Sequence, residues 1–326
     1  MENKLYKVEE VVQFIEQGKF LSLAGDERVL SKLPNGNWIG GTIPYFMGTK
    51  RGMFTQELIF VNNLSDKPDN YLIKSYSANE VMNIVDDTFN NGCSIIIVPP
   101  FTDVHKEYAL RIPEHENLFN NPITGWVAGI DINSNDIAKT YNGLTGEVYT
   151  DKIVAFHIEL PKNKVARLEI INIFSQSNDN IEIEFLEDGF CCTDCCLING
   201  KKTNLAKYIK ENNIDIKLPI ISDYSGALIN VSFQSIENDK VKFYAPIFKG
   251  RKYKFANPIT NYVANFNMQV KNIKTKPEFS CNCILNYLYG ELEGKKIDNV
   301  SGPITFGEIG YLLLNQTLTF LFIEDK

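Results

Sequence analysis

Residues 79–100, NEVMNIVDDTFNNGCSIIIVPP, join two kinds of periodicity within one short segment. The first part repeats apolar residues at helical spacing, which predicts a helix over residues 79–89, with Val81, Ile84, Val85 and Phe89 on one face. The second part, residues 93–98, is a largely β-branched run closed by Pro99 and Pro100. A continuous apolar run of this kind is typical of a strand buried on both faces. The segment therefore predicts helices and strands packed together in one chain.

Strands predominate in the rest of the chain. A helical stripe over residues 8–15 ends before Gly18, a plausible C-cap, and further helices are predicted over residues 203–212, 259–270 and 284–289. The polar stretch 101–123 is predicted to be a loop. Long runs of short strands broken by few helices favour an α+β fold, with mixed sheets covered by a few helices, over a strictly alternating doubly wound sheet.

The composition restricts the classes of function. The 326 residues carry 33 Lys+Arg against 40 Asp+Glu, a net charge of −7, with 44% hydrophobic residues. This balance is that of a globular protein and argues against binding to nucleic acid, which needs clustered cations. No apolar run reaches the ~20 residues of a membrane helix, and the N-terminus lacks a secretory signal. We therefore expect a cytoplasmic protein that binds neither nucleic acid nor membranes.

A strand gives way to Glu187-Asp188-Gly189 and then to a cluster of four cysteines. This change places a domain boundary near residue 185 and predicts two strand-rich domains, residues 1–185 and 186–326. No nucleotide-binding, EF-hand, HExxH or GxSxG motif occurs, so no cofactor is expected.

The seven cysteines allow several interpretations. An odd number without a secretory signal does not suggest a disulfide framework. A structural zinc site could use Cys192-x-x-Cys195 with Cys281-x-Cys283, and a hydrolase could use Cys281 as its nucleophile. The hydrolase would need a base from His105, His115 or His157. The alternative for all seven is small, buried free thiols, and no strand–helix context typical of a redox Cys-x-x-Cys surrounds the cluster.

Two glycines, Gly40 and Gly41, stand beside Trp38 in the segment NWIGGTIPYF, residues 37–46. Adjacent glycines allow a ligand to approach the backbone closely, and they equally suit a bulged or tightly packed strand. We therefore consider them candidate ligand contacts.

The C-terminal segment carries a family resemblance. Residues 302–310, GPITFGEIG, followed by NQTLT at residues 315–319, resemble the closing signature of FIST sensory domains. Phe279-Ser280-Cys281 is similar to the family's F-S-C segment, and residues 198–202 are similar to the start of its C-terminal half. Residues 142–149 and 154–155 resemble the late part of its N-terminal half. Phe306 stands where the family usually has tyrosine.

The resemblance implies a non-enzymatic intracellular sensor that binds a small, amino-acid-like ligand between its two halves. Glu308 would receive an ammonium group, and the other expected contacts are Gly40, Gly41, Ser280, Cys281 and Gly307. The alternative is that Glu308 forms a salt bridge or caps a loop. With no room for an output domain, such a sensor would report by associating with a signalling protein.

Overall fold

The fold was analysed in a computed structural model, which describes residues 1–65, 68–193, 195–224 and 226–326. Strands make up 41% and helices 17% of the chain, so the prediction of an α+β fold with few helices is confirmed.

The helices are short, and most lie between long runs of strands. The described α-helices are α1 Val8–Glu16, α2 Glu27–Leu30, α3 Asn83–Asp86, α4 Asp103–Arg111, α5 Leu205–Glu211, α6 Tyr262–Val270 and α7 Ile284–Tyr289. Two 3₁₀ turns cover Ala78–Glu80 and Ile112–Glu114.

The strands are numerous and mostly three to eight residues long. Those of the first half are β1 Lys4–Tyr6, β2 Phe20–Gly25, β3 Trp38–Thr42, β4 Tyr45–Met47, β5 Gly52–Phe54, β6 Ile59–Ser65, β7 Asn70–Tyr76, β8 Gly92–Val98, β9 Ile123–Val127, β10 Thr140–Asn142, β11 Glu147–Tyr149, β12 Ile153–Glu159 and β13 Lys164–Ile171. Those of the second half are β14 Ile183–Glu184, β15 Gly189–Cys192, β16 Cys196–Ile198, β17 Lys201–Thr203, β18 Ile220–Tyr224, β19 Ala227–Val231, β20 Phe233–Glu237, β21 Lys240–Ile247, β22 Lys252–Phe255, β23 Phe279–Cys283, β24 Gly302–Thr305, β25 Glu308–Gly310, β26 Leu312–Leu314 and β27 Leu318–Asp325.

These strands form five sheets. Sheet 1 has the order β1-β6-β2-β3-β10-β11, sheet 2 the order β26-β25-β9-β8-β12-β7, and sheet 3 the order β13-β27-β23-β24-β4-β5. Sheet 4 runs β17-β16-β14-β22-β18-β19, and sheet 5 runs β15-β21-β20. Parallel and antiparallel pairs occur together in sheets 1, 2 and 3, so these sheets are mixed, as predicted.

Two of the sheets cross the predicted boundary at residue 185. In sheet 3, β27 pairs along its whole length with β13, and β24 pairs with β4. In sheet 2, β25 pairs with β9. The last 25 residues therefore complete sheets that begin in the first half, while sheets 4 and 5 are built from residues after 182 alone. The division into 1–185 and 186–326 stays a prediction.

Strand β8 is buried on both faces, as its apolar run predicts. Ile95 and Ile97 pack into the core between sheets 1, 2 and 3, whereas Ile96 and Val98 pack into a second core shared with sheets 4 and 5. The strand lies between β9, its parallel neighbour, and β12, its antiparallel neighbour. Neither face of the strand meets solvent, which is why residues 95–98 are all apolar, and the one polar residue, Ser94, bonds to the buried His157.

Local signals explain the helices that agree with prediction. Helix α1 ends as expected, because Gly18 has a positive φ of 72° and its N–H donates to the carbonyl of Ile15 at 2.9 Å. Helices α5 and α6 start after Asn204 and Asn261, whose side chains accept hydrogen bonds from the first turn.

Two local predictions are wrong. The helix expected over residues 79–89 is only a 3₁₀ turn and the four-residue α3, because Ser77 caps the start and the chain turns again at Asp87. The loop expected over residues 101–123 contains α4, whose first turn is capped by the hydroxyl of Thr102 accepting from His105 N–H at 3.3 Å. The charged residues Asp103, Lys106 and Arg111 of α4 are exposed, and in the sequence they mask the pattern of the buried Val104 and Tyr108.

None of the helices in the described ranges has the length and apolar character needed to cross a membrane.

Candidate functional site

Two places in the fold hold candidate residues with polar side chains: a closed polar cluster in the core, and an open cleft at the junction of sheets 1 and 3. The cluster contains Glu308, which is fully buried at the start of β25. Its Oε2 accepts hydrogen bonds from Thr317 N–H at 3.1 Å and from the Thr317 hydroxyl at 2.8 Å. Glu308 therefore fixes the turn that leads into β27, which is the loop-capping alternative considered for it.

Burial governs the protonation of Glu308. It raises the pKa of the carboxyl to about 8, while the bonds from Thr317 and the nearby Cys283 thiol act in the opposite direction. The carboxyl is therefore mostly neutral at pH 7, and its Oε1 has no geometric hydrogen-bond partner among the described residues. A neutral carboxyl offers little electrostatic attraction to a ligand ammonium group.

Cys281 lies beside Glu308 in the same cluster. Its thiol donates to the carbonyl of Gly125 at 3.3 Å and contacts the Thr319 hydroxyl at 3.1 Å. Burial, reinforced by Glu308, raises the pKa of Cys281 well above its usual value, so the sulfur is a protonated thiol rather than a nucleophilic thiolate.

The histidines lie elsewhere. His157 is bonded to Ser94 and Tyr76, His115 lies 3.2 Å from Asp86, and His105 packs against Phe190. Among the described residues, the polar contacts of Cys281 are with Gly125 and Thr319 and none is with a histidine. The geometry therefore opposes the cysteine hydrolase considered for Cys281.

The zinc alternative also lacks a site. Within residues 1–65, 68–193, 195–224 and 226–326, no three His, Cys, Asp or Glu side chains are grouped so that they could hold a metal ion. Cys192 ends β15 and Cys195 immediately precedes β16, whereas Cys281 and Cys283 lie on β23, which belongs to neither of their sheets. The structure does not bring these two pairs together.

The glycine candidates serve packing. A Cβ on Gly41 would lie 2.6 Å from Ile97 Cγ2 and 2.7 Å from Trp126 Cη2, so glycine lets sheet 1 approach sheet 2. Gly40 packs under Trp38 in the same way, and the carbonyl of Gly307 accepts bonds from Val127 N–H and the Thr305 hydroxyl. Among five cavities on the described surface, none is lined by Gly40, Gly41, Cys281, Gly307 or Glu308.

Ser280, the remaining candidate, does line a cavity. This cavity is a cleft of about 370 Å³, which we call the lysine cleft. The lysine cleft is lined by Asn3, Thr49, Asn62, Ile273, Lys274, Thr275, Lys276, Pro277, Ser280, Lys296, Asn299, Val300 and Ser301. Three of these residues come from the first half of the chain and ten from the second, so the cleft lies between the two halves.

Side-chain bonds to the backbone hold the walls of the lysine cleft together. Asn3 accepts a bond from Asn63 N–H at 3.0 Å and donates to the carbonyl of Glu278 at 2.8 Å, which ties β6 to the segment before β23. Ser280 donates to the carbonyl of Ser301 at 2.7 Å and joins β23 to the loop before β24. The cleft is therefore formed by the fold itself and needs no ordering of its walls.

Asn62 is the most unusual residue of the cleft. It is only 1% exposed, and its Oδ1 has no hydrogen-bond partner among the described residues. Side chains alternate along strand β6, so Asn62 points to the same face as Phe60, towards the central core. Val61 points to the other face, towards α1. A buried amide oxygen without a partner costs roughly 1–3 kcal/mol, which a ligand donor would recover.

The charge of the lysine cleft is positive. Lys274, Lys276 and Lys296 line it, and its lining contains no carboxylate. In the described chain no ion pair joins any of the three to an acid. Two acids act on the lysines electrostatically without forming an ion pair: Glu2 on Lys276 and Asp298 on Lys296.

Lys296 is the most enclosed of the three lysines. Its ammonium group donates to the carbonyl of Gly48 at 2.9 Å and also to that of Val300. Burial lowers the pKa of Lys296, with a small opposing effect from Asp298. Burial removes water molecules from this ammonium group. An anion bound in the cleft would replace them as a hydrogen-bond acceptor of opposite charge.

Comparison with known families gives one match, which spans nearly the whole chain. Residues 6–324 match the model of a family of unknown function, DUF6976. The chain belongs to this family. No curated protein and no solved structure matched the chain.

Of the six ligand residues predicted for this member of DUF6976, one, Ser280, lies in the open cleft. Sequence analysis missed Asn62 and the three lysines. The signal available for Asn62 was a polar residue interrupting the apolar run of β6, but only the fold shows that the residue is buried and opens onto a cavity. Lys296 follows Lys274 and Lys276 by about twenty residues, and the three lysines belong to no motif.

Proposed function

We propose that this protein is a non-enzymatic binding protein for a small, acidic, amino-acid-like molecule, and that the ligand binds in the lysine cleft. The main support for this proposal is Asn62, whose buried Oδ1 has no hydrogen-bond partner among the described residues. Asn62 lines a cleft that contains three lysines and no carboxylate. The volume of about 370 Å³ falls within the usual range for small-molecule sites.

The chemistry of the lining supports a ligand with two functional groups. Lys274, Lys276 and Lys296 favour a carboxylate. The Oδ1 of Asn62 accepts hydrogen bonds, so it favours an N–H or O–H donor on the same ligand. An acidic amino acid carries both groups, and its net charge is negative. The resemblance to FIST sensory domains also implies an amino-acid-like ligand. We include a sensory role in the proposal on the same basis.

The first experiment compares matched small molecules by thermal shift and calorimetry. L-Aspartate and L-glutamate carry both groups, succinate and glutarate lack the ammonium group, and L-asparagine and L-glutamine lack the second carboxylate. We expect the acidic amino acids to stabilise the protein most, by about 2.7 kcal/mol at 100 times Kd. Equal responses to all six molecules, or no response to any, would contradict the proposal.

Variants test the position of the site. Lys296→Met should weaken binding about tenfold or more, because it removes the enclosed cation. Lys295→Met is the matched control, since Lys295 is the exposed neighbouring residue and does not line the cleft. Lys276→Met and its control Lys271→Met, which does not line the cleft, repeat the comparison in the segment before β23. If each pair binds L-glutamate alike, the ligand binds elsewhere.

A further inference from the structure

Strand β13 forms one edge of sheet 3 and pairs with a single neighbouring strand, β27. With eight residues, Lys164–Ile171, it is the longest of the strands that end the described sheets. Val165 and Ile170 are 39% and 37% exposed, although both side chains are apolar. A long edge strand that carries exposed apolar side chains is a typical site for pairing with another chain.

The hydrogen bonds at the two ends of β27 show which of its residues face β13. The carbonyl of Thr317, just before β27, accepts a bond from Cys283 N–H of β23 at 3.3 Å. Because bonding residues alternate in antiparallel pairs, the residues that face β13 are every second one from Leu318 onward. Lys326 N–H donates to the carbonyl of Asn163 at 2.9 Å, which continues the same alternation beyond the other end of β27.

This alternation fixes which backbone groups of β13 point away from the sheet. By its register with β27, the residues that bond to β27 are 165, 167, 169 and 171. The N–H and C=O groups of Ala166, Leu168 and Ile170 therefore point outward. In the described part of the chain, no hydrogen bond is made to these outward groups. The edge is open for a further strand.

Two opposite charges lie on one face of this edge. Arg167 and Glu169 stand on either side of Leu168, and their side chains form an ion pair at 2.8 Å. The guanidinium group of Arg167 also pairs with Glu324 at 2.9 Å and lies over the ring of Phe322, contacts that hold it on this face. Around Leu168 the edge is therefore positive on one side and negative on the other. A second copy running in the opposite direction presents these charges in the reverse order.

We propose that two copies of this chain associate through β13, as antiparallel strands related by a two-fold axis at Leu168. Leu168 then bonds to Leu168 of the second copy through the outward backbone groups. Arg167 lies opposite Glu169 of the second copy, and Glu169 lies opposite its Arg167. On the other face, Ala166 meets Ile170 of the second copy. The two copies of sheet 3 become one continuous sheet.

The charges select this register among those that the backbone allows. Residues with outward backbone groups must pair with each other, so the axis must pass through a residue of the strand and cannot fall between two residues. An axis at Arg167 or Glu169 would place like charges opposite each other, which is destabilising. An axis at Ala166 or Ile170 would place the charges opposite uncharged side chains. Only the axis at Leu168 brings opposite charges together at both positions.

The same symmetry favours a second copy over an unrelated extended peptide, because the edge is complementary to itself. The contact is small, since pairing along one edge strand lies at the lower end of protein interfaces, below about 1,200 Å². We therefore expect a reversible dimer at micromolar concentrations. Sedimentation velocity of the full chain over this range should show the sedimentation coefficient rising from that of a monomer towards that of a dimer.

Charge exchange locates the contact. Arg167→Glu alone, and Glu169→Arg alone, each place like charges opposite each other at both positions, so each should weaken dimerisation about tenfold or more. An equimolar mixture of the two variants restores opposite charges at both positions and should dimerise. A chain that carries both substitutions should dimerise as wild type does. Lys207→Glu, on α5 outside sheet 3, is the control for net charge and should leave dimerisation unchanged.

Each variant is first checked for a thermal transition like that of wild type, and Arg167→Asp or Glu169→Lys replaces a variant that fails to fold. A wild-type chain that stays monomeric at its highest soluble concentration would overturn the proposal. A dimer that persists in both single variants would assign the contact to another surface and would overturn it too. The same conclusion would follow if the equimolar mixture stayed monomeric.

Discussion

Asn62 and Ser22 lie directly opposite each other on the antiparallel strands β6 and β2, and both side chains are 1% exposed. Neither Asn62 Oδ1 nor Ser22 Oγ has a hydrogen-bond partner among the described residues. Two unpartnered polar atoms on the inner face of one sheet oppose stability, and one of them belongs to a residue that lines the lysine cleft. Such a loss of stability is expected where a residue serves the binding of a ligand rather than the stability of the fold.

Asn62→Leu separates stability from binding. Leucine has a similar volume and removes an unsatisfied polar atom, so we expect the free energy of unfolding to stay unchanged or to rise by about 1 kcal/mol. Binding of L-glutamate should weaken about tenfold. Urea denaturation and calorimetry measure the two quantities.

The control for this variant is Asn230→Leu. Asn230 is also fully buried, but its Nδ2 donates to Asn172 Oδ1 and to the carbonyl of Asn315, both at 3.1 Å, and its Oδ1 accepts from Asn172 at 2.8 Å. Leucine there breaks all three bonds, so we expect a loss of roughly 2–4 kcal/mol. If Asn62→Leu is as damaging as Asn230→Leu, Asn62 has a structural role that the contacts do not show.

Glu308→Gln should change how stability depends on pH. The pKa of Glu308 is about 8 in the folded protein, against its ordinary value of 4.5, so between these values the unfolded chain releases a proton that the folded chain keeps. The contribution of Glu308 to stability is therefore greatest below pH 4.5, falls by up to about 1.4 kcal/mol per pH unit up to pH 8, and is constant above it.

The glutamine variant lacks this slope, so its stability relative to wild type should rise steadily across that range. Urea denaturation at several pH values measures it, with the exposed Glu114→Gln as a control for net charge. Because Glu308 does not line the lysine cleft, Glu308→Gln should also bind L-glutamate as wild type does. A large loss of binding would return Glu308 to the ligand site.

Gly41→Ala tests whether this glycine serves packing. The added Cβ would lie 2.6 Å from Ile97 Cγ2 and 2.7 Å from the Trp126 ring, both fully buried. We expect a loss of about 1–3 kcal/mol in the free energy of unfolding. Gly307→Ala is the milder comparison, because its nearest neighbour would lie 3.1 Å away. Equal stabilities for Gly41→Ala and wild type would contradict the close approach of the sheets.

The fold class was predictable because it depends on local patterns. The apolar run of β8 records burial on both faces, and Gly18 marks the end of α1. Helix α4 was missed because it follows a capping residue, Thr102, in a polar stretch, where frequent charged residues obscure the helical spacing of the apolar ones.

The site was less predictable, because it depends on contacts distant in sequence. Asn3 bonds to the carbonyl of Glu278, and Asn62 meets a loop more than 200 residues away. No local pattern encodes such a meeting. The C-terminal signature pointed to Cys281 and Glu308, but the fold places both inside the core, where burial keeps them protonated at neutral pH.

His157→Gln should reduce the sensitivity of the fold to acid. His157 is fully buried between the Tyr76 hydroxyl at 2.8 Å and the Ser94 hydroxyl at 2.7 Å, and burial lowers its pKa from 6.5 to about 4. Between these values the unfolded chain gains a proton that the folded chain does not. Stability from this residue is therefore fully present above pH 6.5 and falls by up to about 1.4 kcal/mol per pH unit towards pH 4.

The glutamine variant should be less stable than wild type at neutral pH, because its amide cannot serve both hydroxyls in the same geometry. The difference should narrow as the pH falls, since wild type alone carries this proton-linked loss. His105, whose pKa burial also lowers to about 4, keeps a second acid-sensitive group in both proteins. His115→Gln, at the Asp86 contact, is the control. A constant difference from pH 7 to 4 would mean that the fold does not lower the pKa of His157.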